Sequence, residues 1–188
     1  MEVFIVPYDK TMDIDSGFTN QKHYKDIWTK YNNIGKYVDK KIADNNSAMQ
    51  QIIPYVLLRN VSGQYFCAIL NNESNSKDKL ISMGFGNNLE PIDGVMQPLF
   101  MGTTRTLFTD VNLENLQPLK FIGTVRDMRT DDKHLGYVFL MDNVSNDVKL
   151  NNANLTGQWF TTEELINNYG KLETWSKHIV NYLVDNTF

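Results

Sequence analysis

Residues 84–113 gather side chains able to handle phosphate and a divalent cation. The stretch reads GFGNNLEPIDGVMQPLFMGTTRTLFTDVNL, a Gly-containing loop followed by a helix-like run holding Arg105, Leu107, Asp110 and Leu113. Asn87 and Asn88 carry amides that can donate to phosphate oxygens, and Asn is equally a tolerated left-handed turn residue. Glu90 and Asp93 ring a good turn sequence, PIDG. On a helix, residues i, i+3 and i+4 share a face, so Thr106, Thr109 and Asp110 form one stripe. Asp110 is its carboxylate, either a metal ligand or a solvated side chain near a helix end. Arg105 beside it can donate hydrogen bonds to the preceding loop.

A second charged stretch, RDMRTDDK, spans residues 126–133. Asp127, Asp131 and Asp132 offer further carboxylates, and Arg126, Arg129 and Lys133 offer cations for phosphate. The plainer reading is an exposed hairpin connection of mixed charge. His23, His134 and His178 are scattered without metal-ligand spacing. No Ser-His-Asp arrangement, P-loop or dinucleotide fingerprint is present.

These residues must be positioned by a chain of ordinary globular composition. Its 188 residues fit one domain, and its 41% hydrophobic and 21% charged contents argue against disorder. A net charge of −4 supplies no basic field, which disfavours a nucleic-acid duplex as partner. No apolar run approaches the ~20 residues of a membrane span, and no signal peptide is evident. Cys67 is the single cysteine, so no intrachain disulfide can form and a cytoplasmic setting is expected. In the strand-like QYFCAIL it reads as a buried, inert thiol.

Val3 to Val6 form a short strand candidate closed by Pro7. Tyr24, Ile27, Trp28, Tyr31 and Ile34 recur at helical spacing, which predicts a helix from about Gln21 to Gly35. Residues 36–48 are ambiguous, with Val38, Lys40 and Ile42 on one face of an edge-strand alternative. QIIPYVLLR and QYFCAIL flank NVSG as a β-hairpin, and Pro54 places its strand at an edge or beside a gap in the ladder. NNESNSKDK reads as a solvated loop and KLISMGFG as one further strand. LKFIGTV, HLGYVFLM and Gln158–Phe160 supply later strands. Thr161 and Glu164 make a capping box for a short helix ending near Gly170. Leu172, Trp175, Ile179, Tyr182 and Leu183 line a final helix. Trp159, Tyr137 and Phe139 could stack a base, although strand aromatics are usually core.

The order of these segments resembles the Nudix hydrolase superfamily. QIIPYVLLR, KLISMGFGNNLEP, FIGTVRD, HLGYVF, GQWFTTEEL and LETWS follow one another as in a bacterial branch of predicted phosphoesterases. The resemblance covers nearly the whole chain from about residue 50. It implies an α/β (α+β) fold, a Nudix-like α/β/α sandwich around a mixed sheet formed by residues 50–188. Residues 1–49 would be a strand-helix elaboration packed on the same domain. Asn87 and Asn88 stand where the branch carries Gly and His. Aligned on Arg105, the motif's Arg-Glu step becomes Arg105-Thr106, its Glu-Glu pair Thr109-Asp110, and its closing Gly Asn112.

Nudix enzymes cleave a diphosphate linked to a second moiety, with Mg²⁺ or Mn²⁺ neutralising the anion and activating water. The resemblance implies that cofactor if the protein is active, with Asp110 as the metal ligand. Threonine is a weak ligand for a hard cation, and losing one preorganised electrostatic group costs roughly 10²–10³ in rate. Hydrolysis is therefore expected to be weak or lost, leaving a role in binding a nucleotide-like or phosphorylated small molecule through Asn87, Asn88, Glu90, Arg126 and Arg129. The alternative is a divergent metal-dependent hydrolase in which Asp127 and Asp131 compensate beside Arg105 and Asp110. A third reading is a scaffold retaining only the fold, with a homodimer as one form.

Overall fold

The computed structural model describes residues 1–11, 14–20, 24–70, 80–94, 96–129 and 133–186, with residues 24–27 described by backbone alone. Its elements begin with β1 (Glu2–Pro7), β2 (Gly17–Asn20), α1 (Tyr24–Ile34), β3 (Lys36–Asp39) and α2 (Lys40–Asp44). The hairpin β4 (Met49–Asn60) and β5 (Tyr65–Leu70) precedes β6 (Ile81–Ser82), β7 (Gly84–Gly86) and α3 (Pro98–Asp110). There follow β8 (Val111–Asn112), β9 (Leu119–Arg126), β10 (His134–Val144), β11 (Lys149–Leu150) and β12 (Leu155–Phe160). Helices α4 (Thr162–Asn167) and α5 (Thr174–Asp185) end the described chain.

The long apolar run of β4 makes it the spine, because a strand without polar alternation must be covered on both faces. Ile52, Val56 and Leu58 enter one core, and Ile53, Tyr55 and Leu57 enter the other. Along one edge β4 pairs in parallel with β10, from His134↔Gln51 to Met141↔Leu58, and the sheet continues antiparallel through β9 to β2. Its other edge is shared. β1 pairs with Met49–Gln51, β7 with Tyr55–Leu57, and β5 joins at Arg59↔Tyr65. Pro54 falls in the interval between the β1 and β7 pairings, so β4 is central and the gap reading of the proline applies, not the edge reading. β5 continues the sheet to β12.

Helices cover both faces. The core holding Trp28, Tyr31, Leu99 and Leu107 lies under α1 and α3, and that holding Leu165, Trp175 and Ile179 lies under α4 and α5. The mixed sheet between them is the α/β/α sandwich expected from the sequence. β1, β2 and β3 pair within this sheet system, so residues before 50 are knitted to it.

Local departures have local causes. Lys40 and Ile42 are helical, not strand, because the Asp39 side chain accepts from the Lys41 amide and caps α2. KLISMGFG is two strands, not one, since Ser82 pairs with Ala68 of β5 whereas Phe85 pairs with Val56 of β4. At the switch the Met83 amide donates to Ser176 Oγ (2.8 Å). The capping box at Thr161 and Glu164 forms as the sequence indicates. Cys67 is fully buried, and burial pushes its thiol far up. The expected solvated loop at 71–79 lies outside the described residues.

Helix α3 is assembled from poor helix formers and depends on its docking. Leu99, Leu107 and Val111 are at most 2% exposed beneath it. Thr103, Thr104 and Thr109 return their hydroxyls to the carbonyls of Leu99, Phe100 and Arg105, so those groups remain satisfied. Close approach requires Gly102. A Cβ there would lie 2.5 Å from Leu89 Cδ2, 3.1 Å from Pro54 Cγ and 3.2 Å from Asp93 Oδ2. Gly102→Val should therefore destabilise the protein by about 1–3 kcal/mol through overpacking, read from a urea midpoint; an unchanged midpoint would show that α3 is free to shift.

Candidate functional site

Arg105 projects from the middle of α3 onto the loop before it. Its Nε and Nη2 donate to Asp93 Oδ1 (2.8 Å) and Oδ2 (2.9 Å), a two-pronged contact with a carboxylate only 2% exposed. Nη2 also donates to the Asn88 carbonyl (2.7 Å), and Nη1 meets Glu90 Oε1 at 3.0 Å. Asp93 in turn accepts from the Glu90 amide (2.9 Å). The hydrogen bonds it donates to Asp93 chiefly hold the guanidinium above its ordinary value. Arg105 and Glu90 are thus brought together, with one cation answering the two carboxylates of Asp93 and Glu90. The turn is a clamp that fixes loop 88–93 to the helix.

The stripe on α3 looks different atom by atom. Thr106 is fully buried and its hydroxyl has no hydrogen-bond partner. Thr109 is exposed and donates to the Arg105 carbonyl of its own helix. Asp110, at the last turn, is half-buried and accepts from Asn87 Nδ2 at 3.2 Å. Burial raises its carboxyl above the ordinary value, opposed by Asn87 and Arg105. It lines a pocket of about 230 Å³ with Ser82, Gly84, Gly86 and Leu155. These groups do not fit Mg²⁺ or Mn²⁺. One carboxylate is supplied, the threonine oxygens face the core or their own helix, and Glu90 and Asp93 are engaged by Arg105. Among the described residues no group of three or more His, Cys, Asp or Glu side chains is gathered to hold a metal ion.

A larger opening of about 540 Å³ adjoins it across Gly86, between the Asn87–Asn88 loop and the start of α5. Ile53, Leu80 and Leu172 give it an apolar wall, while His134, Trp175 and Lys177 line the rest. Asn88 Nδ2 donates to Gln51 Oε1 (2.7 Å), and Gln51 Nε2 donates to Asp44 Oδ1 (2.9 Å). One N–H of each of Asn87 and Asn88 is therefore already committed, and one remains on each amide. Glu173 caps α5 by accepting from the Trp175 and Ser176 amides and also takes the Tyr55 hydroxyl. Its charge is absorbed within the wall, and among the described lining residues Lys177 is the one lysine or arginine, its ammonium 6.0 Å from the centre of the Tyr169 ring.

The second charged stretch lies elsewhere. Asp127 is 1% exposed, accepts from the Arg129 amide (2.9 Å) and stands 3.7 Å from His178 Nε2. Burial opposes its charge, but the Arg129 amide and guanidinium with His178 outweigh it and lower the carboxyl. Asp127 is absent from the lining of the pocket that holds Asp110. Arg129 is largely exposed and pairs with Asp127. Arg126 is not a surface phosphate contact, because its side chain is fully buried, donates to the Thr11 carbonyl (2.7 Å) and lies 4.7 Å over the Tyr8 ring. It ends a stretch of β9 that is buried on both faces, alternating with Val125 and on the side of Thr124. Asp131 and Asp132 lie outside the described residues. Gln51, Glu173 and Lys177 went unflagged by sequence reasoning. Gln51 sits in an apolar strand, Glu173 at the N-cap of α5 and Lys177 on that amphipathic helix, so nothing in their spacing marks them.

No protein-family model matches the chain. The solved structure of Tm1382, provisionally described as a Nudix hydrolase, superposes with a TM-score of 0.82 at 21% identity, covering 98% of this chain and 99% of its own. DR0079 from Deinococcus radiodurans superposes with a TM-score of 0.58 at 11% identity, covering 96% and 98%. Protein YmaB of Bacillus subtilis (strain 168) is 28% identical over 158 residues, covering 75% of this chain and 74% of its own. The fold is that of the Nudix hydrolases.

Removing the clamp leaves Asp93 buried and unpaired, so Arg105→Ala should cost on the order of 3 kcal/mol in denaturant unfolding. A loss below ~0.5 kcal/mol would mean that solvent takes over the role. Asp110 has the opposite sense. A raised carboxyl favours the protonated fold, so its contribution is present below the ordinary 3.8 and is lost as pH rises through the raised value. Asp110→Asn, which can still accept from Asn87, should be more stable than the parent at pH 7, with the advantage vanishing near pH 3. Thermal melts at the two pH values provide the check.

Proposed function

We propose that this chain is a Nudix-superfamily protein, akin to the predicted-phosphoesterase branch, that binds a nucleotide-like or phosphorylated small molecule in the cytoplasm without appreciable hydrolysis. The observation that carries this reading is the contrast between two neighbouring sites. The helix stripe offers a single half-buried carboxylate, held by Asn87, where the chemistry needs several converging ones. The opening beside it has the ~300–1,000 Å³ size, apolar wall and few polar groups of a ligand site. Lys177 supplies charge for a phosphate, the free N–H groups of Asn87 and Asn88 supply directional donors, and Trp175 with Leu80 and Ile53 supplies an apolar surface for the remaining moiety. Arg105 serves this site as scaffold, since it fixes the Asn88 carbonyl and thereby the loop that forms one wall.

Titration calorimetry with nucleoside diphosphates and their conjugates, in EDTA, should give saturable binding that weakens at least tenfold in Lys177→Ala. The same compounds with Mg²⁺ or Mn²⁺ should release no phosphate above background. Metal-dependent turnover that disappears in Asp110→Asn would overturn the proposal in favour of a divergent hydrolase. Failure of every compound to bind would remove the ligand site.

A further inference from the structure

The outer face of α3 is unlike that of an ordinary surface helix. Phe100 is 45%, Met101 48% and Phe108 64% exposed, with Met96 91% and Ile92 78% exposed beside them. Met96 and Met101 stand one residue before the N-cap and at the fourth helical position, which are surface neighbours. Ile92 lies on the turn that Arg105 clamps to the same helix. The helix carries two charged side chains, and both are engaged on its other side: Arg105 with Asp93 and Glu90, Asp110 with Asn87. A solvated helix normally presents charges on its outer face. This one presents aromatic rings and thioethers.

We propose that this face is where two copies of the chain meet, as an isologous dimer built on α3. Three observations select a second copy. The first is area. The five side chains leave roughly 600–700 Å² bare, taking ~200 Å² for each large apolar residue. That exceeds the ~300–600 Å² patch of a typical monomer and approaches the ~800 Å² that each partner buries in a stable interface. The second is symmetry. A two-fold contact needs a patch that complements itself. Phe100, Thr104 and Phe108 follow at i, i+4 and i+8 along one ridge, with the small residue at the midpoint. A two-fold axis at Thr104 brings Phe100 of each copy beside Phe108 of the other, so that each aromatic ridge seats in the groove flanking its counterpart, as helix packing favours. The Thr104 hydroxyl donates to the Phe100 carbonyl (2.9 Å) and is already satisfied for burial. The third is charge. The chain carries −4, yet this face carries none, so two copies approach here without like-charge repulsion.

Sedimentation velocity across low to high micromolar concentrations should show the mass rising toward twice 21.7 kDa. Phe108→Glu, at an exposed position that the fold does not need, should keep its circular dichroism spectrum and weaken association at least tenfold. Cys67 is buried, so Thr104→Cys introduces one accessible thiol at the axis. Mild oxidation should convert it to a covalent dimer, and adding Phe108→Glu should abolish that product. A monomer at every concentration without cross-linking would overturn the proposal, as would a dimer that survives Phe108→Glu. Phe108-dependent flotation of a monomeric protein with phosphatidylcholine–phosphatidylserine vesicles would assign the face to a membrane and equally overturn it.

Discussion

The two-pronged contact between Arg105 and Asp93 is the interaction on which the site depends. A carboxylate with 2% of its side chain exposed is costly to bury without partners, and Arg105 supplies a cation and two hydrogen bonds from the middle of α3. Its third bond, to the Asn88 carbonyl, extends the constraint to the loop leaving β7. From there Asn88 reaches Gln51 on the spine strand, and Gln51 reaches Asp44 at the end of α2. One guanidinium thus ties the helix, the loop and the residues ahead of β4 into a continuous polar line across an otherwise apolar sandwich.

That line explains how a loop-helix can persist on a helix of such low intrinsic propensity. Five of the thirteen residues of α3 are Gly or Thr, and the deficit of each relative to alanine is up to ~1 kcal/mol. The apolar contacts of Leu99 and Leu107 fix the helix against the sheet but not its rotation or slide. Gly102 sets the depth of docking against Leu89 and Pro54, and Arg105 sets the register against the turn. Position along the helix is therefore defined by one absent side chain and one charged one.

The elements that were legible in the sequence were those where a single physical rule dominates. The unbroken apolar run of β4, the capping box at Thr161 and the amphipathic spacing of α5 each follow from burial or capping alone. Those that were misread involve a choice between partners. Met83 looks like the middle of one strand, and only the change of neighbour from β5 to β4 shows why the strand breaks there. Arg126 looks like a phosphate contact in a charged loop, whereas it is the last inward position of β9. At the site, the letters of Arg105, Glu90 and Asp110 indicated where to look. They did not indicate that Glu90 would answer Arg105, or that the remaining cation of the neighbouring opening would come from Lys177, some seventy residues away in sequence on a helix whose spacing reports only its buried face.

The two faces of α3 belong to one helix of low intrinsic propensity. The inner face holds the loop that walls the candidate ligand site, and the outer face is the surface assigned to pairing. Any partner that binds only the folded helix stabilises it by mass action. A second copy docked on Phe100 and Phe108 would therefore favour the helical form of residues 98–110, and with it the placement of Arg105, Asn88 and the pocket wall. Ligand bound against the Asn87–Asn88 loop would favour the same form from the other side. Binding and association would then reinforce each other with no change of shape between two ordered states, because both would draw on the free energy of ordering one helix of low propensity. The coupling is reciprocal: the factor by which ligand strengthens pairing equals the factor by which pairing strengthens ligand binding.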